Sequence, residues 1–465
     1  MPPQSSSSQT LEQVLEAASK RYNESGHSAK RSYIERLPAE LKLLIIKKLP
    51  TGDCSSIIKL ALTGPDLYTL ITEHEAELAV ESAVPAIGEH VMPIATALYE
   101  LRELGGERPY RVIFPDGKNF RDSPVLVDSI FDIVDRHSGR ENRRNWCDKV
   151  KSLSAASRCL DFHAVVEYWA QRLASKALEK SCRAQAEKYS CPNLDIEPTD
   201  TEMMRFCKAL YIFELVSTAF PWLGVEPDHF ARRTRQAFQA FAKDVAPWEM
   251  QQVVSIQRLL LDVMPDLMEI VDKATSRTDR KALLEHFYSW VLIEGLAQLR
   301  QLDQSPDEGV VSARATAAYF KDNRLARRAA FNRVVETRGF QYCERNTNLH
   351  AGAIFQRYPE EEDGPKAWWY YSVLREVARF DHPNWRSRPW YACGTCLLSY
   401  GYVFWDRETL VKLGQPGQGF PSLDGMLDYV YRAGVSLSRL SVQAALVRAG
   451  HRSVVGGCTC GGGRR

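Results

Sequence analysis

Between Lys149 and Lys188, Val150, Leu153, Leu160, Val165, Val166, Trp169 and Leu173 recur close to a 3.6-residue period. That spacing lines one face of an α-helix and does not fit the two-residue alternation of a half-buried strand. The same period governs most of the chain. "PTDTEMMRFCKALYIFELVSTAF" opens with Pro198, offers Thr199 and Thr201 as N-caps, and has acidic residues in its first turn. Its expected apolar face is Met203, Phe206, Leu210 and Phe213. "APWEMQQVVSIQRLLLDVMPDLMEIVDKA" has Pro247 at its start and is expected to kink or split at Pro265. "DRKALLEHFYSWVLIEGLAQLRQL" and the aromatic "GPKAWWYYSVLREVARF" are two further helices. "EAELAVESAV" and "PIATALYELREL" are shorter ones. The loop "GGERPYRVIFPDGKNFRDSP" leaves room for a short strand at Tyr110 to Phe114. No internal period of about 20 to 50 residues marks a solenoid or propeller. The expected fold class is all-α: a small N-terminal three-helix unit followed by a large irregular helical domain.

With 465 residues the chain is long enough for two or three domains and a large core without disulfides or metals. The net charge of +2 gives no global attraction to nucleic acid or an anionic membrane. No stretch approaches the roughly 18 apolar residues of a membrane span. "MPPQSSSSQT" lacks the basic and apolar regions of a secretory signal. The 11 cysteines are scattered, which suits reduced thiols in the cytoplasm or nucleus. Four segments are expected. Residues 1–30 form a disordered lead-in and 31–80 the small helical unit. Residues 81–450 form the large helical region, with a break near 305–311, and 451–465 form a flexible Gly/Cys tail.

The small unit contains "IERLPAELKLLIIKKLPTGDCSSIIKLALTGPDLYTLI". Leu37-Pro38 ends an extended approach. Leu37, Leu41, Leu44, Ile45 and Leu49 then form one broad stripe, which Ile46 widens, while Lys42, Lys47 and Lys48 lie elsewhere. Pro50 and Gly52 stop this helix, and Asp53 or Ser55 can cap the next one, which carries Ile57, Ile58, Leu60, Ala61 and Leu62. Thr63-Gly64-Pro65-Asp66 is both a stop and a start, and Leu67, Leu70 and Ile71 follow. Three such short helices bury too little area to stand alone. Their stripe must be completed by the chain's own helices or by another protein.

These residues resemble an F-box. The family pattern is a leucine–proline start, a glutamate two residues on, spaced Leu/Ile through the first helix, an apolar second helix and a short third one. Leu37, Pro38, Glu40, Leu41, Ile45, Leu49, Ile57, Leu60, Leu62, Leu67 and Leu70 occupy matching positions, and Tyr68 stands where many members have tryptophan. "MRFCKALYIFELVSTAF", "PWEMQQVVSIQRLLLDV" and "GYVFWDRETL" are similar to a group of filamentous-fungal proteins with an F-box-like unit and a helical body. The resemblance implies a substrate-recognition adaptor of an SCF-type cullin–RING ubiquitin ligase, without catalytic residues or cofactor. Docking on a Skp-type adaptor would use Leu37, Pro38, Glu40, Leu41, Ile45, Leu49, Ile57, Leu60 and Leu67. The body would hold an unknown protein substrate, with no role for nucleic acid or membrane. The alternative is a structural or interaction protein whose F-box-like hairpin is degenerate and packed internally.

Other patterns are weaker. Trp368, Trp385 and Trp390 belong to an aromatic-rich stretch that is the candidate substrate surface, although a stretch of this kind also builds cores. Cys393 and Cys396 form a C-x-x-C, half of a tetrahedral zinc site; Cys458 and Cys460 in the glycine-rich tail complete it poorly, so no metal is expected. His137, His163, His229, His286 and His350 are isolated in sequence, and no phosphate-loop glycine pattern is present.

Overall fold

Between Pro38 and Gly88, proline, glycine and short polar side chains mark most helix starts and stops, although the helix Glu75–Ile87 contains Pro85. The computed structural model describes residues 34–49, 52–105, 124–138, 145–189, 196–220, 236–238, 240–242, 245–272, 287–304 and 400–413. Among them every regular element is helical and no strand occurs, so the fold is all-α. The expected strand at Tyr110 to Phe114, the aromatic helix after Gly364 and both chain ends lie outside the described residues. Two compact units divide the chain: Met1–Glu100 with Glu141–Ala164, and Leu101–Arg140 with Val165–Arg465.

In the first unit, helix α1 (Ala39–Lys47) starts directly after Pro38. Helix α2 (Cys54–Ala61) is capped by Asp53, whose carboxylate accepts from the Ser56 N–H at 2.9 Å and from the Ser56 hydroxyl. Helix α3 (Pro65–Glu73) begins on the proline that follows Gly64, as Pro at N1 favours. Helix α4 (Glu75–Ile87) ends at Gly88, whose φ of 88° suits a residue without Cβ. Met92–Glu100 of α5 (Met92–Gly105) completes this stretch. A 3₁₀ turn at Asn145–Asp148 and Leu153–Ala164 of the 37-residue helix α7 (Leu153–Tyr189) also belong to the unit. The N-terminus of α7 is held from a distance: its Leu153 N–H donates to the Glu75 carboxylate on α4 at 2.9 Å.

In the second unit α6 (Pro124–Ser138), the remainder of α7, α8 (Asp200–Ala219), α9 (Pro247–Asp272) and α10 (Phe287–Gln304) pack with the 3₁₀ turn Tyr402–Phe404 and α11 (Arg407–Leu413). α8 opens on a capping box: Thr199 Oγ1 accepts from the Glu202 N–H at 3.2 Å, and the Thr199 N–H donates to Glu202 at 2.9 Å. Beyond that cap the expectation of one apolar face is corrected. Every residue from Phe206 to Phe220 except the half-buried Lys208 is buried, so α8 is enclosed on nearly all sides rather than amphipathic.

The polar groups that α8 takes inside are paired. Glu214 accepts from Arg102 at 3.4 Å and from the Leu296 N–H at 3.2 Å. Arg205 donates to the Phe404 carbonyl at 2.8 Å and to Asp406 at 2.6 Å. Glu202 also accepts from the Asp406 N–H at 2.6 Å, and Thr199 Oγ1 donates to Asp406 at 2.8 Å. Around these bonds Phe206 stacks on Phe404 with centroids 3.8 Å apart, and Gln252 of α9 donates to the Val403 carbonyl at 3.1 Å. Residues 400–413 are therefore part of this unit's core.

Two helix expectations change. α9 continues as one helix past Pro265 to Asp272, so the expected split does not occur there. α10, expected as one helix, is broken at Gly295, whose φ of 66° and ψ of 171° are non-helical. The break is stabilised from outside the helix. Leu296 gives its N–H to Glu214, and its carbonyl accepts from the Trp169 indole at 2.9 Å. We predict that Phe404→Ala lowers stability by about 3–5 kcal/mol in denaturant melts, because it empties a fully buried aromatic site. Thr199→Ala, which removes one cap, costs about 1 kcal/mol. Equal effects of the two would contradict this packing.

Candidate partner-binding surface

Helix α1 is apolar on two sides, and only one of them is covered. In the first unit the buried side carries Ile46, 1% exposed, and Lys42, 8% exposed. The other side carries Leu41, Leu44 and Ile45, which are 47%, 54% and 40% exposed. Positions i, i+3 and i+4 are neighbours on a helix surface, so these three side chains form one contiguous patch. The sequence placed Ile46 beside the stripe and Lys42 away from it. Instead the stripe faces outward, and the aliphatic stem of Lys42 is covered alongside Ile46. Contiguous exposed apolar side chains mark interaction surfaces far better than scattered ones.

The positions matching the F-box pattern divide into a surface and a framework. Pro38, Glu40, Leu41 and Ile45 are exposed, and Leu37, Leu49 and Leu60 are half-buried. Ile57 and Leu67 are buried at 4% and 1% exposure, so these two expected docking residues serve the interior instead. Their helices face inward: Cys54, Ile57 and Ala61 on α2, and Leu67, Leu70 and Ile71 on α3, are all buried. Leu62 and Ile34 are further exposed apolar residues of the same unit. Leu44, though part of the stripe in sequence, is the most exposed large apolar residue described.

The three helices rest on α4. The Gly52 N–H donates to the Ser82 carbonyl at 3.1 Å, and Gly52 has a φ of 85°, open only to residues that tolerate the left-handed region. Next to it burial pushes the Cys54 thiol up, while a hydrogen bond with the Ser82 side chain acts in the opposite direction. Lys47, at the end of α1, donates to Glu77 at 2.5 Å and to Glu81 at 2.9 Å, both on α4. This fork raises the Lys47 ammonium above its ordinary value. It also holds Glu77 below the usual carboxylate range, with a smaller contribution from the His74 hydrogen bond. The bonds to Ser56 likewise hold Asp53 low. Sequence spacing gave no sign of the fork, because its partners are 30 and 34 residues apart.

Among the described residues of the second unit, several charged side chains are paired with one another. Lys208 pairs with Glu249, Lys180 pairs with Asp262 at 2.6 Å, and Tyr168 and Arg172 both bind Asp303. Burial pushes Cys207 up to about 12, which makes it an inert core thiol. His137 and His163 are buried, one in each unit. Trp368, Trp385, Trp390, Cys393 and Cys396 lie outside the described residues, as do His229, His286 and His350. Among the described residues no group of three or more His, Cys, Asp or Glu side chains could hold a metal ion. No described helix is long and apolar enough to cross a membrane. No family model matches the chain, and neither does any curated protein or solved structure.

The shifted carboxylates fix a sign for the pH dependence of the first unit. Glu77 and Asp53 titrate lower when folded than when unfolded. Their stabilising contribution is present above the ordinary carboxylate range and is lost as pH falls through their lower folded values. We predict that helical signal and α1 amide protection decline below about pH 4, and that Asp53→Asn with Glu77→Gln flattens this dependence. A double variant with the wild-type acid profile would contradict the assignment.

Proposed function

We propose that this chain is an F-box substrate-recognition adaptor of an SCF-type cullin–RING ubiquitin ligase, docking on a Skp-type adaptor through α1 and its flanks. The observation that carries the reading is the outward stripe of Leu41, Leu44 and Ile45, mounted on helices whose other faces are buried. A helix-in-groove contact needs this arrangement: an apolar helix face free for the partner and a body that keeps it helical beforehand. Leu37, Pro38, Glu40, Leu49 and Leu60 border the contact, while Ile57 and Leu67 support it from within.

This role asks for no catalytic side chain. An adaptor accelerates ubiquitin transfer by raising the effective concentration of a substrate lysine near the charged conjugating enzyme. The remaining helical region would hold the protein substrate, with the tryptophan-rich stretch around Trp368, Trp385 and Trp390 as its candidate surface. The work would take place in the cytoplasm or nucleus, where such ligases operate.

Burial of Ile57 and Leu67 favours a second reading for those two positions: an F-box-like hairpin used as internal packing, in a protein with structural or interaction roles only. The two readings part on one measurement. The purified chain is expected to capture a purified Skp-type adaptor, and Leu41→Asp with Leu44→Asp is expected to abolish capture. Because both positions are exposed, the double variant should melt within about 0.5 kcal/mol of wild type. Wild type that fails to capture the adaptor, or a folded double variant that captures it equally well, overturns the proposal in favour of internal packing.

A further inference from the structure

α1 is held to its unit by little. It has nine residues, and Ile46 is its one fully buried apolar side chain. Ile46 and the covered Lys42 lie one turn apart in a single row, and a short helix held along one row can roll about its own axis, which would carry Leu41, Leu44 and Ile45 away from a fixed outward direction. Lys47 lies one residue after Ile46 and adds a second point of attachment. Its ammonium reaches Glu77 at 2.5 Å and Glu81 at 2.9 Å, one turn apart on α4. The buried row and the Lys47 fork together define the rotation of the helix where the row alone does not.

We infer that Lys47 is a positioning residue for the docking face, holding α1 at the rotation that keeps Leu41, Leu44 and Ile45 outward. The inference rests on the adaptor reading above and adds to it a way in which that surface is controlled. Lys47 is 27% exposed and its partners 47% and 45%, so the fork stands in water and is open to screening by salt. Individually such pairs contribute little to global stability. Their leverage is on orientation, because a helix already set at its bound angle loses less freedom on docking. Neutralising the Lys47 charge would loosen the face without unfolding the unit.

The test measures affinity for a purified Skp-type adaptor and hydrogen exchange of the α1 amides in the same full-length proteins. Lys47→Met is expected to weaken binding by on the order of three- to tenfold and to speed exchange across α1, with the helical spectrum retained. The deficit should shrink as salt is raised, since wild type loses the same fork by screening. Lys47→Glu should bind worse still, and combining it with Glu77→Lys and Glu81→Lys should restore both binding and protection. Rescue by swapped charges separates positioning from direct contact of Lys47 with the partner. Wild-type affinity and wild-type α1 exchange in Lys47→Met overturn the inference, as does a triple variant no better than Lys47→Glu. If wild type does not bind the adaptor, the functional reading falls. Exchange then decides alone, and unchanged α1 protection in Lys47→Met overturns the clamp.

Discussion

Helix α1 is apolar on two sides, and the first unit covers only the side that carries Ile46. That division governs the first unit. With Ile46 inward, Leu41, Leu44 and Ile45 face out. The covered faces of α2 and α3 complete the unit's own core, and Gly52, Ser82 and Lys47 fasten the group to α4. α2 and α3 bury most of their apolar residues within the unit, and α1 keeps a stripe in water.

The second unit solves the opposite problem. α8 is enclosed on nearly all sides, so each polar group it carries inward needs a partner. Glu202, Arg205 and Glu214 find theirs on distant parts of the chain: the turn before α11, the residues around Gly295 and the end of α5. These bonds are specific in direction where apolar contact is not. They help determine which segments lie against α8, and they let Gly295 interrupt α10 without stranding the backbone groups of Leu296.

Local signals were legible and long-range ones were not. Asp53, Gly64-Pro65, Thr199 with Glu202, and Pro247 all act where their chemistry placed them, because caps and proline starts depend on neighbours three residues away or fewer. The stripe on α1 was legible as apolar but not as outward. Periodicity finds a face and says nothing about what covers it. The burial of Lys42 shows the same gap, since its charge argues for water while its stem packs inside. Pro265 does not end its helix, because proline lowers helix propensity without forbidding a helix that continues past it. The Lys47 fork and the Glu75 bond to Leu153 join residues 30 to 78 positions apart, beyond any spacing rule. Of the candidate site, the apolar residues of α1 could be named from sequence. Which matching residues form the framework could not.

The place of residues 400–413 has a consequence for the order in which a nascent chain can fold. The first unit has its last contributing residue at Ala164, so its helices can close while most of the protein is still unmade. The second unit cannot seat Phe404 against Phe206, or give Glu202 and Arg205 their Asp406 partner, until that late segment has left the ribosome. During the interval Glu202 and Arg205 lack their bonds to Asp406. Synthesis thus separates the two units in time, with the stripe on α1 in place well before the larger core is sealed.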